Sequence, residues 1–264
     1  MMGKVAVITG GSSGIGLCTA KALLQKGCTV YELSRRDNEV KGINHIKTDI
    51  TDIGMVNDAI RWIIKKEKRI DVLINNAGWG ISGAVEFTET DEAKKLMDIN
   101  FFGAVNTVKA VLPHMREAGS GRIVNLSSVA AQLPIPFQTY YSVSKAAVNS
   151  YTMALVNEVK PFGVSVCAVM PGDIKTGFTQ ARKKLHDGDG IYNGRISRSV
   201  SIMEKDEQNG MAPEVAGEFI SRIALKNKVK PIYTIGLQYK IFVVLAKILP
   251  YGLVNKIVGM LYAK

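Results

Sequence analysis

Short apolar runs alternate with amphipathic stretches along most of the chain. Runs at 5–9, 29–34, 45–47, 72–75, 122–126, 164–170 and 231–234 predict strands. Several are apolar at consecutive positions, as strands of a parallel sheet covered on both faces are. Between them, apolar residues recur at helical spacing over about 15–26, 53–66, 90–117, 139–160 and 213–225. This alternation predicts an α/β fold, a doubly wound parallel sheet with helices on both faces, formed as a single domain over 1–264. Two stretches depart from the pattern. The segment 177–212 is charged, carries Gly188, Gly190, Gly194 and Gly210, and has weak periodicity. The tail, 238–264, has an apolar run at 241–246, then Leu253, Val254, Ile257, Val258 and Leu261 at helical spacing, with Pro250 expected to divide two short helices. Neither tail run reaches the roughly 20 residues that cross a bilayer.

Charge sharpens the reading of the tail. The net charge is +11, and no acid follows Glu218, whereas Arg222, Lys226, Lys228, Lys230, Lys240, Lys247, Lys256 and Lys264 do. Aromatic residues do not interleave with these cations and no nucleic-acid motif occurs, so nucleic acid is not the expected partner. A basic amphipathic tail can lie on an anionic membrane surface, cover a substrate cleft or pack on another subunit. Cys18, Cys28 and Cys167 are scattered and odd in number, which points to a reducing, cytoplasmic setting. His45, His114 and His186 lack partners at ligand spacing, so no metal site is expected. No signal peptide is expected, because Lys4 leads straight into a strand and a glycine turn follows.

Two clusters carry candidate chemistry. After the first strand comes Thr9-Gly10-Gly11-Ser12-Ser13-Gly14-Ile15-Gly16, then a helix. Strand, glycine turn and helix form a Rossmann-type phosphate cradle, in which glycines let the backbone approach a pyrophosphate and free N–H groups face it. The second cluster is Tyr141 and Lys145, one helical turn apart, with Ser128 thirteen residues before the tyrosine. An ammonium beside a phenol favours the phenolate and would draw its pKa down from about 10 into acid–base range. The end of the second strand falls at Ser34, where an acid would meet a ribose 2′-hydroxyl. Here Arg35 and Arg36 follow instead. Arginine suits a 2′-phosphate, so NADP(H) is the expected cofactor. Glu32 lies two residues too early and belongs to the strand.

In chain order, Thr9 to Gly16, Asn75-Asn76-Ala77-Gly78, Ser128…Tyr141…Lys145 and Pro171-Gly172 resemble the short-chain dehydrogenase/reductase family over about residues 3–236. The resemblance implies that Tyr141 is the general acid/base, that Ser128 orients the substrate oxygen, and that Lys145 serves Tyr141 and the nicotinamide ribose. It adds Asn100 as a fourth catalytic member. It also implies cofactor contacts from Gly10, Ser12, Ser13, Gly14, Ile15, Gly16, Ser34, Asp49, Ile50, Asn76, Ala77, Gly78, Pro171, Gly172, Ile174 and Thr176. Asp52 could equally be a helix N-cap. The segment 177–212 becomes a lid over the substrate. Trp79, Ile81, Pro134, Phe137, Gln138 and Phe178 are candidate pocket residues, which points to a hydrophobic ketone, aldehyde or alcohol, of hydroxysteroid or lipid type. Kinship also implies a homo-oligomer, dimer or tetramer. Two other classes stay open: a non-catalytic NADP(H)-binding regulator, and a membrane-surface protein anchored by 238–264.

Overall fold

The computed structural model describes residues 3–37 and 40–263. Among them are nine strands: β1 (Val5–Thr9), β2 (Thr29–Ser34), β3 (Ile43–Lys47), β4 (Val72–Asn75), β5 (Ile81–Ser82), β6 (Gly121–Leu126), β7 (Val164–Pro171), β8 (Lys183–Lys184) and β9 (Ile232–Ile235). The helices are α1 (Gly14–Gln25), α2 (Ile53–Glu67), α3 (Thr90–Met97), α4 (Gly103–Glu117), α5 (Thr139–Val159), α6 (Phe178–Ala181), α7 (Arg195–Gln208), α8 (Pro213–Leu225), α9 (Leu237–Ile248) and α10 (Tyr251–Tyr262). Seven strands form one parallel sheet in the order β3-β2-β1-β4-β6-β7-β9, while β5 and β8 pair separately. The chain reverses its direction of growth between β1 and β4. In such a sheet the crevice beyond the carboxyl ends at that point receives ligands.

Strand alternation sorts the core into two layers. Val5 and Val7 of β1 pack with Val56, Ile60 and Ile63 of α2, Val108 and Val111 of α4, and Leu155 of α5. Ala6 and Ile8 pack on the other face with Ala20 and Leu23 of α1 and Ala216 and Ile220 of α8. A buried Ile or Leu contributes about 1.5–3 kcal/mol by leaving water, so a shift of one residue in β1 would exchange both sets of contacts. Asp52 takes the capping alternative: its carboxylate accepts the Met55 N–H at 3.0 Å at the start of α2.

Three stretches differ from expectation or sharpen it. The helix expected over 90–117 is broken by a π-helical turn at Asp98–Phe102. The buried Asn100 side chain sits in that turn. It accepts the Trp79 N–H and donates to the Trp79 carbonyl, both at 2.9 Å, and donates to Ser144 Oγ at 3.1 Å. The segment 177–212 is more regular than its weak periodicity implied. It holds the fourteen-residue α7, whose Ile196, Val200 and Met203 are buried. The tail forms two helices parted at Pro250, as expected. Val243 of α9 packs against Val129 and Met170, and the Tyr262 hydroxyl of α10 donates to Asp206 of α7 at 3.0 Å. Among the described residues, no helix is long and apolar enough to cross a membrane.

Candidate active site

One cavity of about 910 Å³ runs from the glycine turn, along the carboxyl ends of the central strands, to the tail helices. That is the upper end of the roughly 300–1,000 Å³ usual for a ligand pocket. Its two ends differ in chemistry.

The first end is a phosphate cradle. Gly10 and Gly14 have φ values of +65° and +52°, which disfavour a side chain. A Cβ on Gly16 would lie 2.2 Å from the Gly10 carbonyl oxygen, so only glycine lets α1 start so close beneath the turn. Ser13 caps α1 in extended geometry without a side-chain bond to the first helical N–H groups. Those groups, with Ser12, Ile15 and Gly16, border the cavity and suit an anion. The Thr9 hydroxyl accepts the N–H groups of Asn76 and Ala77 at 3.0 Å each, and Asn76 Nδ2 donates to the Thr9 and Gly10 carbonyls. The expected residues Asn76 and Ala77 are thereby tied to the glycine turn, with Gly78 following them on the cavity wall. Ser34, Arg35, Arg36, Asp49 and Ile50 form the far wall of this end. Arg35 and Arg36 are exposed there, and Arg35 stands 4.0 Å from Asp49. Glu32 is fully buried, accepting from Ser34 Oγ at 2.9 Å and lying 2.6 Å from His45 Nδ1, and does not reach the wall. The donor set fits a dinucleotide with an extra phosphate: backbone N–H groups and serines at one place, and at the other two guanidinium groups, with Asp49 4.0 Å from Arg35 and Glu32 turned away.

Ser128, Tyr141 and Lys145 meet at the middle of the cavity, beside Pro171, Gly172, Ile174 and Thr176. The twenty-one-residue α5 presents Tyr141 and Lys145 on one face. Lys145 is buried, and its Nζ donates to the Leu126 carbonyl at 2.9 Å and lies 5.7 Å from the centre of the Tyr141 ring. Gly78 brings the Asn100 amide and the Lys145 ammonium close together: a Cβ there would lie 3.1 Å and 3.5 Å from them. Asn100 itself stands behind the wall rather than on it.

The electrostatics differ from the simple expectation. Part of Tyr141 faces the cavity, yet dense protein around it pushes the phenol up to about 12. The Ser128 hydrogen bond and the Arg182 charge pull it down, while Glu207 and Asp173 push it further up. Lys145, expected to depress it, turns its ammonium to the Leu126 carbonyl and is itself destabilised, with burial drawing it down to about 8.

At the second end the expected pocket residues divide. Trp79, Gln138 and Phe178 border the cavity, and the Phe178 ring lies 5.6 Å from that of Tyr141. Ile81, Pro134 and Phe137 do not. Ile81 is buried in β5, Pro134 is exposed, and Phe137, at φ +58°, turns its ring edge-on to Tyr192 at 5.6 Å. Sequence reasoning missed Asp173, Glu207, Tyr239 and Tyr262, all on the wall. It also left open that Phe242, Leu245, Leu249, Val254, Ile257 and Leu261 of the tail form the apolar end. Asp173 was within reach, since it lies inside the stretch from Pro171 to Thr176 that was read as a cofactor contact.

Known proteins share this architecture. The chain is 44% identical over 229 residues to the 3-ketodihydrosphingosine reductase of Bacteroides thetaiotaomicron, covering 86% of this chain and 85% of that one. The solved structure of a short-chain dehydrogenase from Streptomyces avermitilis superposes with a TM-score of 0.83 at 29% identity, covering 99% of this chain and 95% of that one. That of ElxO with NADP bound gives 0.76 at 29% identity, covering 90% and 99%. A family profile described as short chain dehydrogenase matches residues 4–186. With that match across most of the sheet, and with the glycine turn, Ser128, Tyr141 and Lys145 along one crevice, the chain belongs to the short-chain dehydrogenase family of oxidoreductases.

Proposed function

We propose that this protein is an NADPH-dependent reductase of a long-chain ketone, of the kind named for its Bacteroides relative, 3-ketodihydrosphingosine. One observation carries the reading. A single cavity joins a dinucleotide cradle, a serine–tyrosine–lysine set and an apolar end walled by the tail. The leucine, isoleucine and valine side chains that α9 and α10 place on that end suit an alkyl chain. NADP bound in the related ElxO supports the same cofactor here.

The Rossmann-side residues hold the cofactor. The glycine turn and the start of α1 receive the pyrophosphate, and Arg35 and Arg36 receive the 2′-phosphate by charge-assisted bonds worth about 1.5–3 kcal/mol each. Pro171, Gly172, Ile174 and Thr176 border the nicotinamide, and Lys145 its ribose. When bound, the reduced nicotinamide supplies a hydride to the carbonyl carbon. Ser128 and Tyr141 hydrogen-bond the carbonyl oxygen, and the Tyr141 hydroxyl gives that oxygen its proton as it becomes an alcohol. A phenol held near 12 stays protonated at neutral pH, the form reduction needs. Asn100 positions rather than reacts: it locks the π-helical turn against the loop at Trp79.

The outer face of the tail fits the source of such a substrate. Ile248 and Tyr251 are 74% and 91% exposed at the bend between α9 and α10, beside Ile241, Val244 and Leu253, with Lys240, Lys247 and Lys256 on the same two helices. This face suits an anionic lipid surface, so the same two helices would wall the chain inside and meet lipid outside.

The assay follows NADPH absorbance with 3-ketodihydrosphingosine. The reading predicts consumption, with NADH a much poorer donor. Preference for NADH, or no turnover of any long-chain ketone, contradicts it.

A further inference from the structure

Asp173 is used by none of the steps above. It leaves the end of β7 just after Pro171-Gly172 and borders the cavity together with Tyr239. Its Oδ2 accepts the Tyr239 hydroxyl at 2.5 Å. A bond that short from a phenol is typical of an ionised acceptor. Among the described residues, no lysine or arginine forms an ion pair with Asp173. Arg182, the cation that acts on it through space, is committed to Glu207. Burial raises the Asp173 carboxyl, and Asp206 and Glu207 raise it further, against the opposing Tyr239 bond and Arg182 charge. A carboxylate in such surroundings is costly until a cation meets it. The charge of Asp173 is felt at the Tyr141 phenol, so it stands within electrostatic reach of the reacting carbonyl.

We propose that Asp173, held by Tyr239, receives the ammonium group of a substrate that carries its amine on the carbon beside the carbonyl. The ligand class is thus a long-chain 2-amino ketone: polar head at Asp173, carbonyl at Tyr141, chain toward α9 and α10. This rests on the long-chain ketone reading above and narrows it. Asp173 is a binding residue in this account, setting specificity rather than transferring a proton. An otherwise identical ketone without the amine would leave the carboxylate unpaired, and sites built to pair a polar group discriminate strongly against analogues that lack it.

The experiment compares kcat/KM with saturating NADPH for 3-ketodihydrosphingosine and for the same ketone lacking its amine, at neutral pH. The wild-type protein is expected to prefer the amine by roughly a hundredfold or more, the scale of leaving one member of a buried charge pair without its partner. Asp173→Asn should bring the two close together, mainly by raising KM for the amino ketone, with the dissociation constant for NADPH little changed. Tyr239→Phe, which keeps the ring, should shift the ratio the same way by less, and it provides the readout if Asp173→Asn does not fold. Equal losses on both ketones, an unaltered preference, or a loss traced to NADPH binding would each overturn the assignment. Wild-type protein that reduces both ketones equally well refutes the ammonium site and leaves the ketone reading standing. Reduction of neither refutes both.

Discussion

Tyr141 and Lys145 are moved in opposite directions by the same cause. Burial disfavours whichever form is charged, so the phenol rises to about 12 and the ammonium falls to about 8. The consequence for reduction has a definite sign. Tyr141 keeps its proton throughout the working range, whereas Lys145 is charged below about pH 8 and loses that charge above it. In the proposed role of Lys145, a neutral amine would hold the cofactor ribose less well than the ammonium does. The kcat/KM for NADPH, which reports the free enzyme, should therefore be level at neutral pH and fall as pH rises through about 8. Lys145→Arg keeps its charge far above that pH, so whatever activity it retains should lack this alkaline limb. A limb of the same midpoint in the arginine variant would assign the titration to another group.

At the scale of elements, the π-helical turn at Asp98–Phe102 has the clearest energetic test. Asn100→Ala removes three hydrogen bonds and leaves the Trp79 backbone groups without that partner. A cost of about 1–3 kcal/mol is expected, read as a lower urea midpoint with an unchanged slope. An unchanged midpoint would show that the turn does not depend on this side chain. The family resemblance singled out Asn100, but the apolar pattern alone did not mark a single π-helical turn inside a longer helix. The sheet was legible because each strand of the two-faced core is a short apolar run. Tyr141 and Lys145 were legible because helical geometry fixes the meaning of a four-residue spacing. The periodicity of Ile196, Val200 and Met203 was there to be read, but the surrounding charges and glycines masked it. Pro134 and Phe137 were misplaced for a different reason. Apolar character does not fix direction, and Phe137, at positive φ, holds its ring against Tyr192. Asp173 escaped because only its neighbours matched a pattern.

Across the whole molecule, the tail makes the protein two-sided. The inward face of α9 and α10 closes the cavity, and the outward face leaves Ile248 and Tyr251 in solvent near three lysines. Vesicles containing anionic lipid should co-sediment the protein, and each lysine near the surface should contribute about 1 kcal/mol. Replacing Lys240, Lys247 and Lys256 with glutamate should abolish that binding, and so should high salt. Failure of the unaltered protein to co-sediment with such vesicles would argue that the face packs on another protein subunit instead. The central claim is that one cavity brings a bound dinucleotide to a ketone protonated by Tyr141. The most direct measurement pairs turnover of 3-ketodihydrosphingosine with NADPH affinity in Tyr141→Phe. The account predicts a fall in kcat of roughly a hundredfold or more, the usual scale for losing a general acid, with NADPH affinity nearly intact. Wild-type turnover in that variant would contradict it.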